Sequence, residues 1–508
     1  MPDQNQRPFP PHRRRRRRRR INPNFIIFCM AVLLAVVLLV LSVMALVMSL
    51  SGDDEKPKAT DATIQTTEPT DGTAEPAIPT TEPSASTTEP SAPPVAPTDP
   101  TQTTEPSAST TAPTTAPSEP IAPGITLIGN ATIGATGDIL MHKPCIRPGE
   151  QSDGTYDFSA YFAHIQAYIN ATDYAVANLE TTLAGLDLGY EYSGYPQFNC
   201  PDGIVPSLQG AGFDMLLTAN NHTYDTSSVG FHRTMQVMKE YGMDFTGTFA
   251  SREEDNYLVR EIDGIRIGMI CYTYEDAADA ATVAPNGHVM TKEDAQLINT
   301  FHKKDVAGFR TSLSADIANM EADGAEAIVL FIHWGDEYAL TQNADQEALA
   351  QTACDLGVDV IVGGHAHVIQ PMDLLTSTTD SDHKTVCLYS TGNAISNQRQ
   401  GLISSITTAH TEDGILFSFT FAKYSDGTVR VESVEALPTW VNLYTSTETW
   451  KKVYDIIPLD KSTADWKTAF GLTDDTLSQA EASYDRTMAI IGDGLAEVNA
   501  YLASLPEV

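Results

Sequence analysis

Residues Val358–Pro371 read VDVIVGGHAHVIQP, and this order of apolar residues, glycines and histidines indicates a strand that ends in a metal site. The segment begins with β-branched residues, as a buried strand does, and passes through two glycines to His365 and His367. Side chains two apart in an extended segment lie on the same side, with Cα atoms roughly 6.5 Å apart. The glycines let the backbone pass close to the centre that both imidazoles face.

Five other apolar runs also end in a polar residue that can bind a metal ion. The ends are Asp138 after ATIGATG, Glu180 after YAVANL, Asn220, Asn221 and His222 after FDMLLTA, His333 after AIVLFI, and Asn393 after VCLYSTG. Because ligands gather at the carboxyl ends of strands in open α/β sheets, we expect these ends to lie along one edge of the sheet. One polar strand end is typical of a turn or a core histidine, whereas six together indicate a site.

The donor atoms indicate the class of metal. Three histidines, two carboxylates and an asparagine, without a thiolate, favour one or two divalent ions of Mn, Fe or Zn. A carboxylate shared by two ions about 3.5–4 Å apart is typical of phosphoester hydrolysis, in which a nearby histidine protonates the leaving group. We expect Trp334 and Glu337 to shape the pocket rather than to bind metal. For His142, four residues past Asp138, a position facing solvent is favoured over a role as replacement ligand.

Composition divides the 508 residues into five segments. They are a basic cytoplasmic tail at 1–24, a transmembrane helix at 25–50, a disordered Thr/Pro-rich linker at 51–124, a globular domain at 125–445 and a helical C-terminal extension at 446–508. The second segment carries no charge and exceeds the roughly 20 residues that span a bilayer. The arginines before it predict a cytoplasmic N-terminus and an extracellular domain. Contact of Arg13–Arg20 with anionic lipid is favoured over the alternative, a nucleic-acid-binding tail.

The charge of the chain restricts its partners. Beyond residue 20 there are 22 basic and 65 acidic residues, a net charge of −43. This excludes nucleic-acid binding through general electrostatics in that part of the chain. A polyanionic partner would be repelled unless metal ions or a local basic patch lie between the two.

Apolar runs alternate with amphipathic segments in the globular part, which predicts an α/β domain. Helices are predicted at 227–241 and 345–356, and ILFSFTFAKYSDGTVRVESVEAL predicts a hairpin with SDG as its turn. We expect the C-terminal extension to pack on the domain or to make a contact. The six cysteines form no disulfide framework, and a Cys145–Cys200 bridge stays open.

Six stretches, in this order, resemble the CapA family, whose members are named for poly-γ-glutamate capsule synthesis. They are TGDILM, ANLETTL, LLTANNHTYD, FIHWGDEY, VIVGGHAHVIQP and LYSTGNAISNQ, and they cover roughly residues 130–400. The family in turn is similar to the calcineurin-like metallophosphoesterases. The resemblance therefore implies a sandwich of two mixed β-sheets flanked by helices, preceded here by the transmembrane helix and the linker.

The resemblance also implies roles for single residues. The metal ligands would be Asp138, Glu180, Asn221, His333, His365 and His367, with Glu180 in place of a bridging aspartate and His222 as the catalytic histidine. The larger superfamily has Asp-x-His in its first motif, whereas this chain has Leu140 two residues after Asp138. The ending GNAISNQ replaces the family's GNFIFDQ, which changes the pocket near Asn393.

These features predict a membrane-anchored, extracellular protein that acts in synthesis, export or surface attachment of an anionic envelope polymer such as poly-γ-glutamate. The expected chemistry is metal-dependent hydrolysis or transfer at a phosphoester, together with partner proteins of capsule synthesis in the membrane. A second hypothesis is a non-catalytic polymer-binding or scaffold subunit, which the missing first-motif histidine favours. A third is a general secreted metallophosphatase, because a fold does not determine a substrate.

Overall fold

The structure, a computed structural model, describes residues 124–278, 282–447 and 450–506. The predicted tail, transmembrane helix and linker lie outside these residues, except for residue 124. Within the described ranges, no helix combines the length and the apolar character that crossing a membrane requires.

Two sheets and the helices around them make up the described part of the chain. Its strands are β1 (Leu127–Ile139), β2 (Tyr174–Leu179), β3 (Met215–Leu217), β4 (Asp244–Thr246), β5 (Leu258–Ile262), β6 (Ile265–Glu275), β7 (Thr300–His302), β8 (Ala327–His333), β9 (Val360–Gly364), β10 (Met372–Thr376), β11 (Lys384–Leu388), β12 (Asn393–Ile395), β13 (Asp413–Tyr424), β14 (Val429–Thr445) and β15 (Lys452–Pro458). Its α-helices are α1 (Lys143–Ile146), α2 (Gln166–Ile169), α3 (Ile204–Ala211), α4 (Ser227–Tyr241), α5 (Val306–Ala322), α6 (Ala344–Asp355), α7 (Trp466–Phe470) and α8 (Asp474–Ser504).

Both sheets are mixed, as predicted. The first has the order β15-β14-β13-β1-β2-β3-β4, with β12 also paired to β1, and its strands β1 to β4 are parallel. The second has the order β10-β11-β9-β8-β6-β5, with β7 paired to β6, and β6, β8, β9 and β11 are parallel. The prediction that all polar strand ends share one sheet edge is wrong, because they belong to both sheets.

The main core contains alternate residues from the two sheets. Ile133 of β1 and Val176 of β2 belong to the same buried cluster as Val329 of β8. The neighbours that point the other way, such as Ala175 and Ile328, belong to two further clusters with the helices. Successive side chains of a strand point to opposite faces, so each sheet is buried on both sides. The result is a sandwich of two sheets between helices.

Several local predictions are confirmed. The predicted helix at 227–241 is α4, and the one at 345–356 is α6 with both ends one residue earlier. The hairpin is β13–β14, in which Lys423 pairs with Val429 across the SDG turn.

The C-terminal extension packs on the domain but is not helical throughout. Strand β15 lies in it and pairs with β14, which corrects the helical prediction there. Helix α8 begins with a capping box at Thr473 and buries Ile491 and Val498 in the main core. At Gly494 a Cβ would lie 1.9 Å from the carbonyl oxygen of Met372, so the helix touches β10 where it has no side chain.

Candidate metal centre

The carboxyl ends of strands from both sheets meet at one place. In the first sheet, Asp138 lies near the end of β1, and Glu180 follows β2 directly. In the second sheet, His333 ends β8, and the GGHAH segment continues from β9. The sandwich thus brings together residues that are up to 229 positions apart in the chain, as in the contact of His367 with Asp138.

Glu180 lies at the centre of this cluster. It belongs to two groups of three whose ligand atoms all lie within 4.8 Å of one another: Glu180, His333 and His365, and Asp138, Glu180 and His367. Its Oε1 atom lies 3.5 Å from Nε2 of His333 and 3.8 Å from Nε2 of His367. A carboxylate shared by two groups is the arrangement expected for a pair of ions.

The surroundings of Glu180 fit a cation. Both of its carboxylate oxygens are buried and have no hydrogen-bond partner among the described residues. Burial, together with the charges of Asp138 and Glu337, raises the pKa of Glu180 well above its usual value. An unpartnered buried carboxylate is costly, and coordination of a metal ion removes that cost. The buried His, Asp and Glu groups are therefore compatible with a divalent metal site.

The two histidines of the first group offer neutral nitrogen donors, and Asn221 beside them offers an amide oxygen. Nε2 of His333 lies 2.8 Å from Oδ1 of Asn221 and 3.2 Å from Nδ1 of His365. Burial lowers the pKa of His333 to about 3 and that of His365 well below its usual value. Neutral imidazole is the form that binds metal, so both rings are ready to act as ligands.

The second group is held by hydrogen bonds around Asp138 and His367. Nδ1 of His367 lies 3.1 Å from Oδ2 of Asp138 and 3.1 Å from Oδ1 of Asn393. Asn178 donates from Nδ2 to the other Asp138 oxygen, at 2.8 Å. With Nδ1 engaged in this way, Nε2 of His367 is the nitrogen that faces Glu180, which is the usual way in which outer partners orient a ligand histidine.

The two glycines before His365 have different neighbours. A Cβ on Gly363 would lie 2.0 Å from the carbonyl oxygen of Tyr389 and 2.6 Å from the indole nitrogen of Trp334. A Cβ on Gly364 would lie 3.2 Å from Oδ1 of Asp138. Gly363 therefore allows Tyr389 and Trp334 to pack closely against the GGHAH segment. Gly364 leaves room for Asp138 in the second metal-compatible group.

His222 lies beside the cluster and is paired with a carboxylate. Its Nδ1 atom lies 2.9 Å from Oδ2 of Asp225, and both side chains are buried. The same Asp225 oxygen accepts the backbone N–H of Phe198 at 2.6 Å. Asn220 accepts the backbone N–H of His222 at 3.2 Å and donates to Oδ1 of Asn178 at 3.1 Å. The loop after β3 is thus fixed to β2.

The residues expected to line the pocket differ in burial and in the groups that they contact. Trp334 is buried in the core and donates its indole N–H to the Tyr389 carbonyl, so it supports the GGHAH segment from behind. Glu337 is exposed, and its charge raises the pKa of Glu180, though less than burial does. Asn393 holds His367 in place, as described above.

The expectation that His142 faces solvent is wrong. Its side chain is buried, its ring centroid lies 5.0 Å from that of Phe198, and Nδ1 accepts the backbone N–H of Asn397 at 3.3 Å. Burial lowers the pKa of His142 to about 4. The ring does not belong to either metal-compatible group found in the described residues. Leu140, in the place of the superfamily histidine, is buried as well.

Sequence reasoning missed three polar residues of the site. Asn178 lies two residues before Glu180 on β2, Asp225 lies three residues after His222, and Tyr274 places its ring 4.7 Å from that of His365. The first two stand inside quoted motifs, and their spacing was a usable signal. Tyr274 lies in β6, outside all of the quoted stretches.

Comparison with protein families gives a match of residues 132–398 to the bacterial capsule synthesis protein PGA_cap. The match covers more than half of the chain. The chain belongs to this family. PGA_cap proteins are part of the metallophosphoesterase-like superfamily, and the resemblance to CapA is confirmed.

Two curated relatives carry related names. "Capsule biosynthesis protein CapA" of Bacillus anthracis is 28% identical over 270 residues, which cover 53% of this chain and 60% of the relative. "PGA biosynthesis protein CapA" of Bacillus subtilis (strain 168) is 25% identical over 264 residues, which cover 52% of this chain and 62% of the relative. The chain thus spans about three fifths of each relative's length.

Two solved structures share weaker similarity. The sulfate thiohydrolase SoxB of Thermus thermophilus gives a TM-score of 0.33 at 14% identity, over 65% of this chain and 46% of that one. The protein TT1561 of Thermus thermophilus gives a TM-score of 0.31 at 8% identity, over 57% of this chain and 94% of that one.

Proposed function

We propose that this protein acts in the biosynthesis, export or surface attachment of an anionic envelope polymer such as poly-γ-glutamate, through a metal-dependent hydrolase site of the phosphoesterase type. The observation that carries the proposal is the environment of Glu180. Both of its carboxylate oxygens are buried without a hydrogen-bond partner among the described residues, and Oε1 lies 3.5 Å from Nε2 of His333 and 3.8 Å from Nε2 of His367. The names of the two CapA relatives support the choice of polymer.

A divalent ion bound here would supply a Lewis acid that polarises a phosphoryl oxygen. Glu180, Asn221, His333 and His365 would hold one ion, and Asp138, Glu180 and His367 would hold a second. The proton step belongs to His222. Asp225 accepts from Nδ1–H, so the second proton of the imidazolium form of His222 lies on Nε2, from which it would pass to the leaving oxygen.

The test uses the full-length chain, purified in detergent, with metal content measured by elemental analysis and hydrolysis of phosphomonoesters and diesters measured with added Mn²⁺. We expect one or two equivalents of metal in the wild type. His365→Ala should lose metal and activity, and His222→Ala should lose activity while retaining metal. His164→Ala is the matched control, since this ring packs against Phe470 outside both metal groups. Absence of both metal and turnover in the wild type contradicts the proposal.

Leu140 favours a second candidate, a polymer-binding or scaffold subunit that keeps one ion. The superfamily histidine is absent there, so the group of Asp138, Glu180 and His367 contains one imidazole. This candidate predicts bound metal and polymer binding without turnover. A general secreted metallophosphatase would instead hydrolyse simple phosphomonoesters and show no affinity for the polymer.

We also propose that Phe25–Leu50 anchor the chain in the cell membrane, with the N-terminus in the cytoplasm and the domain outside, where membrane partners of capsule synthesis would meet it. The uncharged segment and the arginines before it support this topology. Protease added to intact cells should release the domain through the Thr/Pro-rich segment. A domain that stays protected until the cells are lysed contradicts the external location.

A further inference from the structure

A lysine lies beside the metal-compatible cluster in this acidic chain. Lys303 follows β7, and its Nζ atom lies 4.2 Å from the centroid of the Tyr274 ring. The Tyr274 ring in turn lies 4.7 Å from the ring of His365 and 6.5 Å from that of His333. These distances place the ammonium within about 9 Å of the His365 ring, inside the Debye length of about 10 Å at 0.1 M salt.

Lys303 is only weakly engaged by its neighbours. The nearest ion-pair atom, Oδ2 of Asp276, is 3.9 Å away, and the two side chains are 41% and 43% exposed. An exposed pair of this kind contributes little to stability. The contact of the half-exposed ammonium with the Tyr274 ring is likewise a weak attraction. The ammonium can therefore turn toward an incoming anion at small cost.

The negative charges around the cluster indicate that this lysine has a role in binding anionic substrates. Glu337 is exposed near the site, and its charge acts on both Glu180 and Tyr274. The chain beyond residue 20 carries a net charge of −43, which repels a polyanion overall. A positive group near the metal-compatible cluster would add to bound metal ions in offsetting this repulsion, and Lys303 has the position to supply it.

We propose that Lys303 determines specificity by binding a second anionic group of the substrate, a carboxylate or phosphate close to the reacting bond. The inference rests on the proposed function, because it takes the reacting bond to lie at the metal centre. A γ-glutamyl chain meets this requirement, since each of its residues carries a free α-carboxylate. So does a phosphoester that carries a further phosphate.

The kinetic test compares phenyl phosphate, 4-carboxyphenyl phosphate and 1,4-phenylene bisphosphate, of which the first has no second anion. The full-length protein is assayed in detergent with Mn²⁺, as wild type, Lys303→Ala, Lys303→Arg and the control Lys304→Ala, whose exposed side chain is one residue further along. Lys303→Ala should lower kcat/KM for substrates with a second anion about tenfold relative to phenyl phosphate, through KM. Lys303→Arg should retain most of the preference, and Lys304→Ala all of it.

The comparison of 4-carboxyphenyl phosphate with 1,4-phenylene bisphosphate shows whether Lys303 prefers a carboxylate or a phosphate. The preferred anion is the one whose substrate loses more kcat/KM in Lys303→Ala. Equal losses on all three substrates, or identical behaviour of Lys303→Ala and Lys304→Ala, overturn the inference.

A binding measurement separates this inference from the proposed function. Isothermal titration of γ-glutamyl tripeptide into the Mn²⁺-loaded full-length protein should show weaker affinity for Lys303→Ala and unchanged affinity for Lys304→Ala. If binding depends on Lys303 but no ester is hydrolysed, the proposed activity fails and the binding role of Lys303 stands. If esters are hydrolysed but Lys303→Ala alters neither the substrate preference nor the binding, Lys303 is not a specificity residue and the proposed function stands.

Discussion

His222 and Asp225 form a buried pair in which Nδ1 of the imidazole lies 2.9 Å from Oδ2 of the carboxylate. The carboxylate holds one tautomer of the ring, and the ring of Phe198 packs against it with centroids 4.6 Å apart. An imidazole fixed in this way can deliver a proton in one direction without searching for its orientation. The pair therefore suits His222 to the proton step of the proposed function.

We expect Asp225→Asn to lower kcat about 10–100-fold with little change in KM, because the neutral amide lacks the negative charge that favours the imidazolium form of His222, the form that donates the proton. Asparagine keeps an oxygen that can accept the backbone N–H of Phe198, so the fold should persist. Steady-state kinetics on a phosphomonoester and a thermal melt test this together. An unchanged kcat would show that Asp225 has no part in the proton step.

Glu180→Gln should separate metal binding from folding. Added Mn²⁺ is expected to raise the melting temperature of the wild type by a few degrees, because a ligand bound only by the folded state stabilises it. The variant should lose most of this increase, since the amide has one weaker donor in place of two carboxylate oxygens. Without metal it should be about as stable as the wild type, because one buried polar side chain without a hydrogen-bond partner replaces another of the same size.

Calorimetry with Mn²⁺ and with a chelator measures both effects of this substitution. Glu321→Gln, on the exposed side of α5, is the matched control. If Mn²⁺ raises the melting temperature of Glu180→Gln as much as that of the wild type, the central role of this carboxylate is contradicted.

Gly363→Ala and Gly364→Ala should differ although the residues are adjacent. At Gly363 the new methyl would overlap the Tyr389 carbonyl at 2.0 Å, so we expect a loss of stability of roughly 3 kcal/mol or more. At Gly364 the nearest atom is Oδ1 of Asp138 at 3.2 Å, so the fold should survive with weaker metal binding. Urea denaturation and metal titration give the two readouts. Equal effects on both would disprove the separate roles of the glycines.

The local sequence predicted much of the site, because a polar residue at the end of an apolar run is a short-range pattern. Asp138, Glu180 and His333 each follow such a run, and the strands that precede them lie where the pattern placed them. What the pattern could not give was the sheet to which each strand belongs. Pairing of β1 with β2 and of β8 with β9 depends on the whole chain, so the ends meet from two sheets.

The features that were predicted wrongly or missed also depend on contacts between distant parts of the chain. His142 is buried against Phe198, 56 residues away, and its ring accepts a hydrogen bond from the backbone of Asn397, 255 residues away. Strand β15 exists because β14 extends to Thr445 and offers it an edge, which the composition of the extension does not reveal. Tyr274 reaches the imidazoles only through the packing of β6 next to β8.

A buried ion pair joins the C-terminal helix to the domain. Asp413, at the start of β13, accepts hydrogen bonds from Ser483 at 2.7 Å and from Nε and Nη2 of Arg486 at 2.8 and 2.7 Å. Burial is the largest influence on Asp413 and outweighs these bonds, so its pKa rises from 3.8 to about 6. The pair therefore links the packing of α8 to pH.

The free energy of unfolding should fall between pH 4 and pH 6 as Asp413 loses its proton. The folded state binds this proton more tightly than the unfolded state, so the stability that it contributes is fully present below about pH 4 and is lost as pH rises to about 6. Two pKa units correspond to about 3 kcal/mol. Urea denaturation at half-unit steps should therefore show this fall in the wild type relative to Asp413→Asn, in which the side chain cannot titrate. Asp382→Asn, at an exposed position, should follow the wild type. Parallel curves for the wild type and Asp413→Asn would mean that Arg486 keeps the carboxylate ionised throughout, and that the ion pair rather than burial determines its state.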